Sequence, residues 1–401
     1  MKNITRIIGL SFMALAATTV YGCEAKVKKD PTTPVIAQAH APVTHKHINN
    51  TVKIALLLDT SNSMDGLIDQ AKSQLWDIVN KFAYVKARCG NDTNHDYIRP
   101  NLEIALYQYG NDNLSSSEGY IQQVLGFSGD LDEISEKLFS LNTNGGEEYC
   151  GQVIQTSLNQ LDWGKNADNL KMIFIAGNEP FTQGKLNYKD AVTNATEKDV
   201  VINTIFCGNY QQGVSSQWKN GATLTGGDYM AIDHNKHVVH IDTPYDAKIV
   251  SLNSKLNTTY IAYGSLGQAK LEKQYTQDSN AMEVEEAVAV KRAVSKSSRL
   301  YNNATWDLVD AADDKEFDAS TLKKEQLPAA LRNKSDKEIV KYISVKKEER
   351  TAIQSEIREL NKKREQFITQ NQTDGNQGEL ENAMLSAIKK QAERKNYKWD
   401  E

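Results

Sequence analysis

The sequence lacks several features that would assign it to a functional class at once. It has four cysteines in 401 residues, too few for the disulfide framework of a small secreted domain. Its formal net charge of −5 gives no sign of the basic surface that nucleic-acid binding favours. No run after residue 23 is apolar enough to span a bilayer. The chain also has no Walker loop, no Gly-x-Ser-x-Gly elbow and no His-Glu-x-x-His pair. What remains is an ordinary globular composition, so function must be read from local patterns.

The first 23 residues have the order of segments found in an export signal. Lys2 and Arg6 form a short basic region, and residues 7–20 are apolar apart from small or hydroxylated side chains. This order is typical of a secretory signal, and the apolar part is too short for a good transmembrane helix. We therefore expect the chain to be exported.

The end of that signal resembles a bacterial lipobox. The sequence Val-Tyr-Gly-Cys at 20–23 follows its pattern, although Tyr21 is bulkier than the usual residue. The resemblance implies that residues 1–22 are a lipoprotein signal peptide and that Cys23 is acylated, each buried methylene contributing about 0.8 kcal/mol to membrane binding. Glu24, rather than Asp, favours the outer membrane of the cell envelope. An ordinary signal peptide followed by a chance cysteine is the alternative.

Three regions follow the predicted signal peptide. Residues 23–50 contain three prolines and no sustained apolar period, which predicts a flexible tether. Residues 51–264 alternate strand and helix patterns, which predicts an α/β domain with a doubly wound, mainly parallel sheet and helices on both faces. In residues 265–401 the strand patterns stop, which predicts an all-helical C-terminal extension.

Hydrophobic periodicity places the elements of the α/β domain. Residues 52–58 form a nearly continuous apolar run, as expected for a parallel strand buried on both faces. Residues 65–85 put their apolar side chains on one helical face. Further strands are predicted at 102–109, 122–127, 171–176, 200–206, 229–232 and 238–241, and further helices at 130–141 and 152–161.

The C-terminal extension has three predicted helices, with Ser335 and Glu338 as a capping box for the longest. Lys346, Arg350 and Arg364 interrupt the apolar seam of that helix, so a sustained coiled coil is disfavoured. We expect the extension to pack back on the α/β domain instead. The predicted helices cover residues 283–299, 335–369 and 378–395.

The residues that indicate chemistry lie between the first strand and the first helix. Asp59, Ser61 and Ser63 alternate in the sequence Asp-Thr-Ser-Asn-Ser, directly after the apolar run. Ligands gather at the carboxyl ends of parallel strands, where the strand order reverses. One carboxylate and two hydroxyls suit Mg²⁺, a hard cation that prefers oxygen ligands, with Mn²⁺ or Ca²⁺ as alternatives. Helix capping is the purely structural interpretation of such a string.

This segment resembles the metal-ion-dependent adhesion site (MIDAS) of von Willebrand factor A (vWA) domains. Residues 51 to about 260 resemble that domain in strand order and length. In the family, a Thr or acidic residue before a middle helix completes part of the site. Glu148 is the best-aligned candidate in this sequence, Glu147 the next and Thr143 the third.

The sequence departs from the family at one position. The family usually has Thr-Asp-Gly after the strand residues 171–175, but here the sequence continues Ala-Gly-Asn, and Gly177 stands where the Asp is expected. Asn178 holding a metal-bound water, or Glu179 as a replacement carboxylate, are the candidates to compensate. The segments at 145–151 and 176–181 together resemble bacterial envelope vWA lipoproteins of unassigned role.

Three further cysteines follow Cys23. In a doubly wound topology, Cys207 ends a strand and Cys150 begins a helix, so both belong to the rim that carries Asp59. Cys89 follows a helix and belongs to the opposite rim. We therefore predict a Cys150–Cys207 disulfide in the oxidising envelope, with Cys89 unpaired.

The resemblance implies a lipid-anchored envelope protein that binds rather than catalyses. A cation held by the vWA domain would recognise an Asp or Glu carboxylate of an unidentified partner protein, with no role in nucleic-acid binding. The alternative is a structural or assembly scaffold with a degenerate metal site, acting through its helical C-terminal region. An enzyme is disfavoured because no general base accompanies the site.

Overall fold

The computed structural model of the chain describes residues 50–88, 97–236, 240–371 and 379–399. The predicted signal peptide, nearly all of the tether and Cys89 lie outside the described residues, as do two of the four residues of the strand predicted at 238–241. The described strands are β1 (Thr51–Asp59), β2 (Val85–Arg88), β3 (Tyr97–Ile98), β4 (Asn101–Tyr109), β5 (Ile121–Ser128), β6 (Leu170–Gly177), β7 (Val201–Cys207), β8 (Tyr229–Ile232) and β9 (Tyr397–Trp399).

Helices separate most of these strands and make up most of the chain after β8. They are α1 (Asp65–Phe82), α2 (Leu131–Phe139), α3 (Cys150–Gln160), α4 (Tyr188–Glu197), α5 (Tyr210–Ser215), α6 (Trp218–Thr223), α7 (Asp246–Asn257), α8 (Gly267–Val284), α9 (Glu286–Lys296), α10 (Leu308–Ala311), α11 (Asp336–Asn371) and α12 (Glu379–Arg394).

Six strands form the central sheet in the order β5-β4-β1-β6-β7-β8. All neighbouring pairs are parallel except β4 and β5, which are antiparallel. The chain runs from β1 outward to β4 and β5 and then returns to β6 on the other side of β1, so the strand order reverses beside β1. The predicted doubly wound, mainly parallel fold is confirmed, and the rim at the end of β1 is the place where such sheets bind ligands.

The side chains of β1 explain why this strand lies at the centre. Ala55 and Leu57 pack into one core, which they share with α3 and α4, whereas Ile54, Leu56 and Leu58 pack into the core on the opposite face. All five side chains are buried. A continuous apolar run is therefore required, since each successive side chain enters one of two dry layers.

The helical C-terminal region packs back on the α/β domain. Helices α9 and α12 contact α1, and α12 also contacts β6, β7 and β8. The capping box that begins α11 is present: the Ser335 backbone N–H donates to Glu338 Oε2 at 2.8 Å, and the Glu338 N–H donates to Ser335 Oγ at 3.4 Å. The extension thus covers one face of the central sheet, as expected.

Several predicted boundaries were wrong. The first helix ends at Phe82 because residues 85–88 pair as β2 with β3 and β9 in a second, three-stranded sheet. The C-terminal region therefore also supplies a strand, although its sequence shows no strand pattern. The helix predicted at 283–299 is divided at Glu285, whose backbone is extended (φ −173°, ψ 150°). No helix among the described residues is long and apolar enough to cross a membrane.

Candidate metal centre

The loop that follows β1 brings one carboxylate and two hydroxyls together. Asp59 is completely buried, and its Oδ1 accepts a hydrogen bond of 2.8 Å from the Ser61 backbone N–H. This short-range bond folds the loop tightly, so that Ser61 Oγ lies 3.3 Å from Ser63 Oγ. The alternating residues of the motif are therefore neighbours in space.

Glu148 adds a second carboxylate from the loop before α3. It is buried beside Asp59 and Ser61, and the charge and backbone of Glu179 also act on its carboxylate. Burial raises the pKa of Glu148, and burial followed by the nearby Glu148 carboxylate holds the pKa of Asp59 well above its usual range. Two acids that share a dry site oppose each other's ionisation.

Three oxygen atoms of the site are buried without a hydrogen-bond partner in the described structure: Asp59 Oδ2, Glu148 Oε2 and Asn178 Oδ1. Buried polar atoms are nearly always paired, so three orphaned acceptors at one site require an explanation. All three are oxygens, the type of ligand that a hard divalent cation prefers. The residues present therefore fit such an ion. The described residues contain no group of three or more His, Cys, Asp or Glu side chains suited to a metal; this site combines two carboxylates with hydroxyls and an amide.

Asn178 and Glu179 follow β6 and border the same site. The Asn178 side-chain amide donates to Ser63 Oγ at 3.1 Å, which ties the β6 loop to the β1 loop. Glu179 is exposed, and its backbone carbonyl accepts a bond of 2.8 Å from the Trp218 indole. Asn178 and Glu179 were the candidates to replace the Asp that is missing at Gly177. The side chain of Asn178 lies within the site, whereas the charge and backbone of Glu179 act on Glu148 from its border.

The other two candidate ligands are engaged elsewhere. The Thr143 hydroxyl donates to the Asp65 carboxylate at the start of α1. Glu147 is exposed and accepts a bond of 2.9 Å from the Gln183 side chain. Glu148 is therefore the member of this loop whose side chain enters the site.

The departure at Gly177 has a steric counterpart. A Cβ atom at Gly177 would lie 2.5 Å from the Tyr109 hydroxyl and 3.0 Å from Asp59 Oδ2. The Tyr109 hydroxyl donates to the Ala176 carbonyl at 2.9 Å, so it is held in that place. Any side chain at position 177 would displace Tyr109, so this site requires a glycine there.

The sequence interpretation missed the loop after β4. The Asn111 side-chain amide donates to the carbonyls of Thr60 (3.2 Å) and Asn142 (2.9 Å), which joins this loop to those that carry Asp59 and Glu148. Gly110 has a φ of +73°, and a Cβ there would lie 2.6 Å from Glu148 Cγ. The sequence pattern that indicates this loop is Gly-Asn-Asp at 110–112. It follows the buried strand β4 directly, just as the Asp59 motif lies at the end of β1.

The predicted Cys150–Cys207 disulfide is not formed, since both residues are free thiols. Both lie near the rim as expected, but on opposite faces of the sheet. Cys150 packs in the core that contains Phe206, and Cys207, the next residue along β7, points into the other core. The alternation of side chains along a strand puts the sheet between the two sulfurs. Burial raises the pKa of both thiols.

The sequence profile of the von Willebrand factor type A domain matches residues 53–222. No curated protein matched the chain. Among solved structures, proximal thread matrix protein 1 from the mussel byssus is 13% identical with a TM-score of 0.33, covering 46% of this chain and 42% of that one. This chain thus spans less than half of the mussel protein's length.

Two bacterial structures are similar over the same share of the chain. An aerotolerance-related membrane protein from Bacteroides fragilis is 14% identical, with a TM-score of 0.28, and 93% of its length is covered. The pilus adhesin SpaC from Lactobacillus rhamnosus GG is 11% identical, with a TM-score of 0.32 and 28% of its length covered. The profile match and the sheet described above agree, and residues 53–222 of this chain are a von Willebrand factor type A domain.

Proposed function

We propose that the vWA domain is a binding module that holds a divalent cation and recognises a carboxylate of a partner protein. The vWA domain supports a role in protein–protein interaction or adhesion. Cation binding is supported by the buried, unpartnered oxygens of Asp59, Glu148 and Asn178.

The proposed ligands are Asp59, Ser61, Ser63 and Glu148, with Asn178 bordering the site directly after Gly177, which stands where the family has its Asp. Two carboxylates match the charge of a dication, and oxygen ligands favour Mg²⁺, with Mn²⁺ or Ca²⁺ as alternatives. The bound ion supplies a positive charge that a partner's Asp or Glu can approach. In this proposal the acids of the site serve as ligands, so the activity is binding and not catalysis.

A titration of Mg²⁺ and Mn²⁺ into the full chain, followed by calorimetry and melting temperature, tests the cation. We expect saturable binding that Asp59→Ala abolishes and Ser63→Ala weakens. Glu147→Ala is the matched control, because Glu147 is adjacent to Glu148 but exposed and bonded to Gln183. Absence of binding by the wild type, or equal loss in Glu147→Ala, would contradict the proposed ligand set.

The partner is tested separately, by crosslinking the wild type, Asp59→Ala and Glu147→Ala in an envelope extract with Mg²⁺ or with EDTA. The proposal predicts a crosslinked protein that requires Mg²⁺, disappears with Asp59→Ala and persists with Glu147→Ala. A partner captured equally in EDTA would show that recognition does not pass through the ion.

We also propose that the protein is anchored in the cell envelope through an acylated Cys23, with the outer membrane as the favoured location. The support is the segment order of residues 1–23. Growth with labelled palmitate should label the wild type, and Cys23→Ala should remain unlabelled and leave the membrane fraction. Labelling of Cys23→Ala would refute lipidation at this position.

A scaffold role for the C-terminal region is the second candidate. Near the start of α11, Val340, Tyr342 and Val345 are 50%, 37% and 44% exposed, which gives a partner apolar surface to cover on this helix. If the scaffold role is correct, Val340→Ser with Val345→Ser should abolish crosslinking to the partner while Mg²⁺ binding is unchanged. Retention of the crosslink in this double variant would remove the candidate.

A further inference from the structure

The edge strand β5 has backbone groups without a partner. Among the described strands it pairs only with β4. Its ladder begins where the Gly110 N–H donates to the Tyr120 carbonyl at 3.1 Å, and Ile121 and Gln123 lie opposite Tyr109 and Tyr107 in the following register. Because hydrogen-bonded and non-bonded pairs alternate along an antiparallel ladder, the N–H and C=O groups of Ile121 and Gln123 point away from β4.

A polar cleft of about 240 Å³ lies beside this edge, on the sheet face covered by α3. Ile121 and Gln123 form one wall, and Gln152, Thr156 and Asn159 of α3 contribute to the other. Glu118 at one end is the only charged residue in the lining, and the other polar side chains are amides and hydroxyls. The cleft thus offers neutral donors and acceptors beside the free edge of the sheet.

We propose that β5 and this cleft bind an extended segment of a partner polypeptide as an added strand. An extended backbone presents N–H and C=O groups with the spacing that Ile121 and Gln123 require, and strand addition is a recurrent mode of peptide recognition. Side chains of the added strand that face α3 would enter the cleft. Its amide and hydroxyl lining selects polar, uncharged side chains at those positions.

The shape of the edge favours a single strand over a second copy of this chain. The regular register with β4 covers Ile121–Gln123 and then shifts at a bulge near Leu106. Bulged and short edges discourage the edge-to-edge pairing of two sheets, whereas a peptide needs only a few residues of edge. The inference is independent of the proposed cation, because no residue of the cleft belongs to the proposed ligand set.

The test is selection of a phage-displayed library of random twelve-residue peptides on the full chain in EDTA, followed by calorimetry with the enriched peptides as synthetic probes. Gln123→Pro removes the outward N–H while leaving the ladder bonds with β4, a change that edge strands tolerate. Gln123→Ala, which keeps the backbone donor, is the matched control. Hydrogen exchange of wild type and variants verifies that each is folded.

We expect enriched peptides rich in polar, uncharged residues, bound at least tenfold more weakly by Gln123→Pro than by Gln123→Ala. Their binding should slow exchange of the Ile121 and Gln123 amides and persist in Asp59→Ala, which separates this inference from the proposed cation site. Equal affinities of the two Gln123 variants would overturn it. So would a dimer that only Gln123→Pro dissociates, or binding of a glycan panel that Gln152→Ala abolishes and Gln123→Pro does not affect.

Discussion

Two regions of the molecule each contain a pair of carboxylates with little exposure to solvent, and the chain supplies cations to only one of the pairs. At the sheet rim, Asp59 and Glu148 face each other, and each has an oxygen without a partner. Between the C-terminal helices and α2, Asp278 and Asp132 are ion-paired to Arg292, at 2.6 and 2.8 Å, and Lys296 lies 2.9 Å from Asp278.

The pKa values of the acids follow this difference. Lys296 and Arg292 hold the pKa of Asp278 well below its usual range, although burial acts in the other direction. Burial and the second carboxylate hold the pKa of Asp59 well above it. Where Arg292 and Lys296 neutralise the acids, the carboxylates stabilise the fold. Where no cation of the chain does so, as at Asp59 and Glu148, the carboxylates indicate a binding site for a positive charge from outside the chain.

The largest effect is expected from breaking the compensated network. Asp278→Asn keeps the shape of the side chain but leaves Arg292 and Lys296 buried without their shared carboxylate. Removal of one partner of a buried ion pair typically lowers the free energy of unfolding by about 3–5 kcal/mol. Denaturant titration at pH 7 measures it, with Glu356→Gln as the control, since the Glu356–Lys248 pair is about half exposed and should change stability by less than about 1 kcal/mol.

The pH dependence of that loss has a defined sign. The pKa of Asp278 is lowered in the folded protein, so its stabilisation is present above the unfolded Asp value of about 4 and disappears as the pH falls below it. The wild type and Asp278→Asn should therefore converge in stability in acid. A difference that stays constant below pH 4 would show that the charge of Asp278 is not what stabilises the network.

An Asp→Asn substitution at the rim should change the free energy of unfolding in the opposite direction. The raised pKa of Asp59 means that its ionised form opposes folding at neutral pH, so Asp59→Asn should make the metal-free protein slightly more stable. It should also weaken Mg²⁺ binding by at least about 100-fold, the upper range for loss of a supporting contact. Melting temperatures measured in EDTA give the metal-free stability, and those measured over a range of Mg²⁺ concentrations give the binding. A large loss of metal-free stability would show that Asp59 stabilises the fold and does not serve mainly as a ligand.

A smaller effect is expected when the Asp that is usual in the family is introduced at position 177. Gly177→Asp should not strengthen cation binding, because its Cβ would lie 2.5 Å from the Tyr109 hydroxyl. Overpacking of this kind lowers the free energy of unfolding by about 1–3 kcal/mol. Adding Tyr109→Phe removes the obstructing atom and should restore part of the loss, a coupling that a double-mutant cycle measures. Strictly additive effects would refute the steric account.

The smallest effect concerns a carboxylate that is only partly compensated. Burial and the nearby Asp77 raise the pKa of Glu381, at the start of α12, to about 7, while Lys291 lowers it. A raised pKa means that wild-type stability falls as the pH rises from about 4.5 through 7. Glu381→Gln should remove that dependence and make the protein more stable than the wild type at pH 8. Parallel pH profiles for the two proteins would contradict it.

The sequence predicted the central strand and the first ligand loop because both depend on short-range patterns. An apolar run long enough to cross the core can be recognised without knowing its neighbours, and Asp59, Ser61 and Ser63 are held together by a bond between residues two apart. The capping box of Ser335 and Glu338 was predictable for the same reason. In each case the interacting groups lie within one turn or one loop.

Interactions between distant segments were not predictable in this way. Arg350 and Arg364 appeared only to interrupt an apolar seam, yet both are buried and ion-paired, Arg350 with Asp307 and Arg364 with Asp246. Sequence spacing shows that a charge lies on an apolar face, but not that an acid from a remote helix meets it there.

By itself, the sequence determined the fold class, the position of β1 and the residues of the first loop. Only the tertiary structure decided that Glu148 and not Glu147 enters the site, that Cys207 faces away from Cys150, and that a tyrosine hydroxyl occupies the space beside Gly177. The physical reason is common to all three. Each depends on which face of an element a side chain occupies and on what a distant segment places opposite it, and a shift of one residue reverses that outcome.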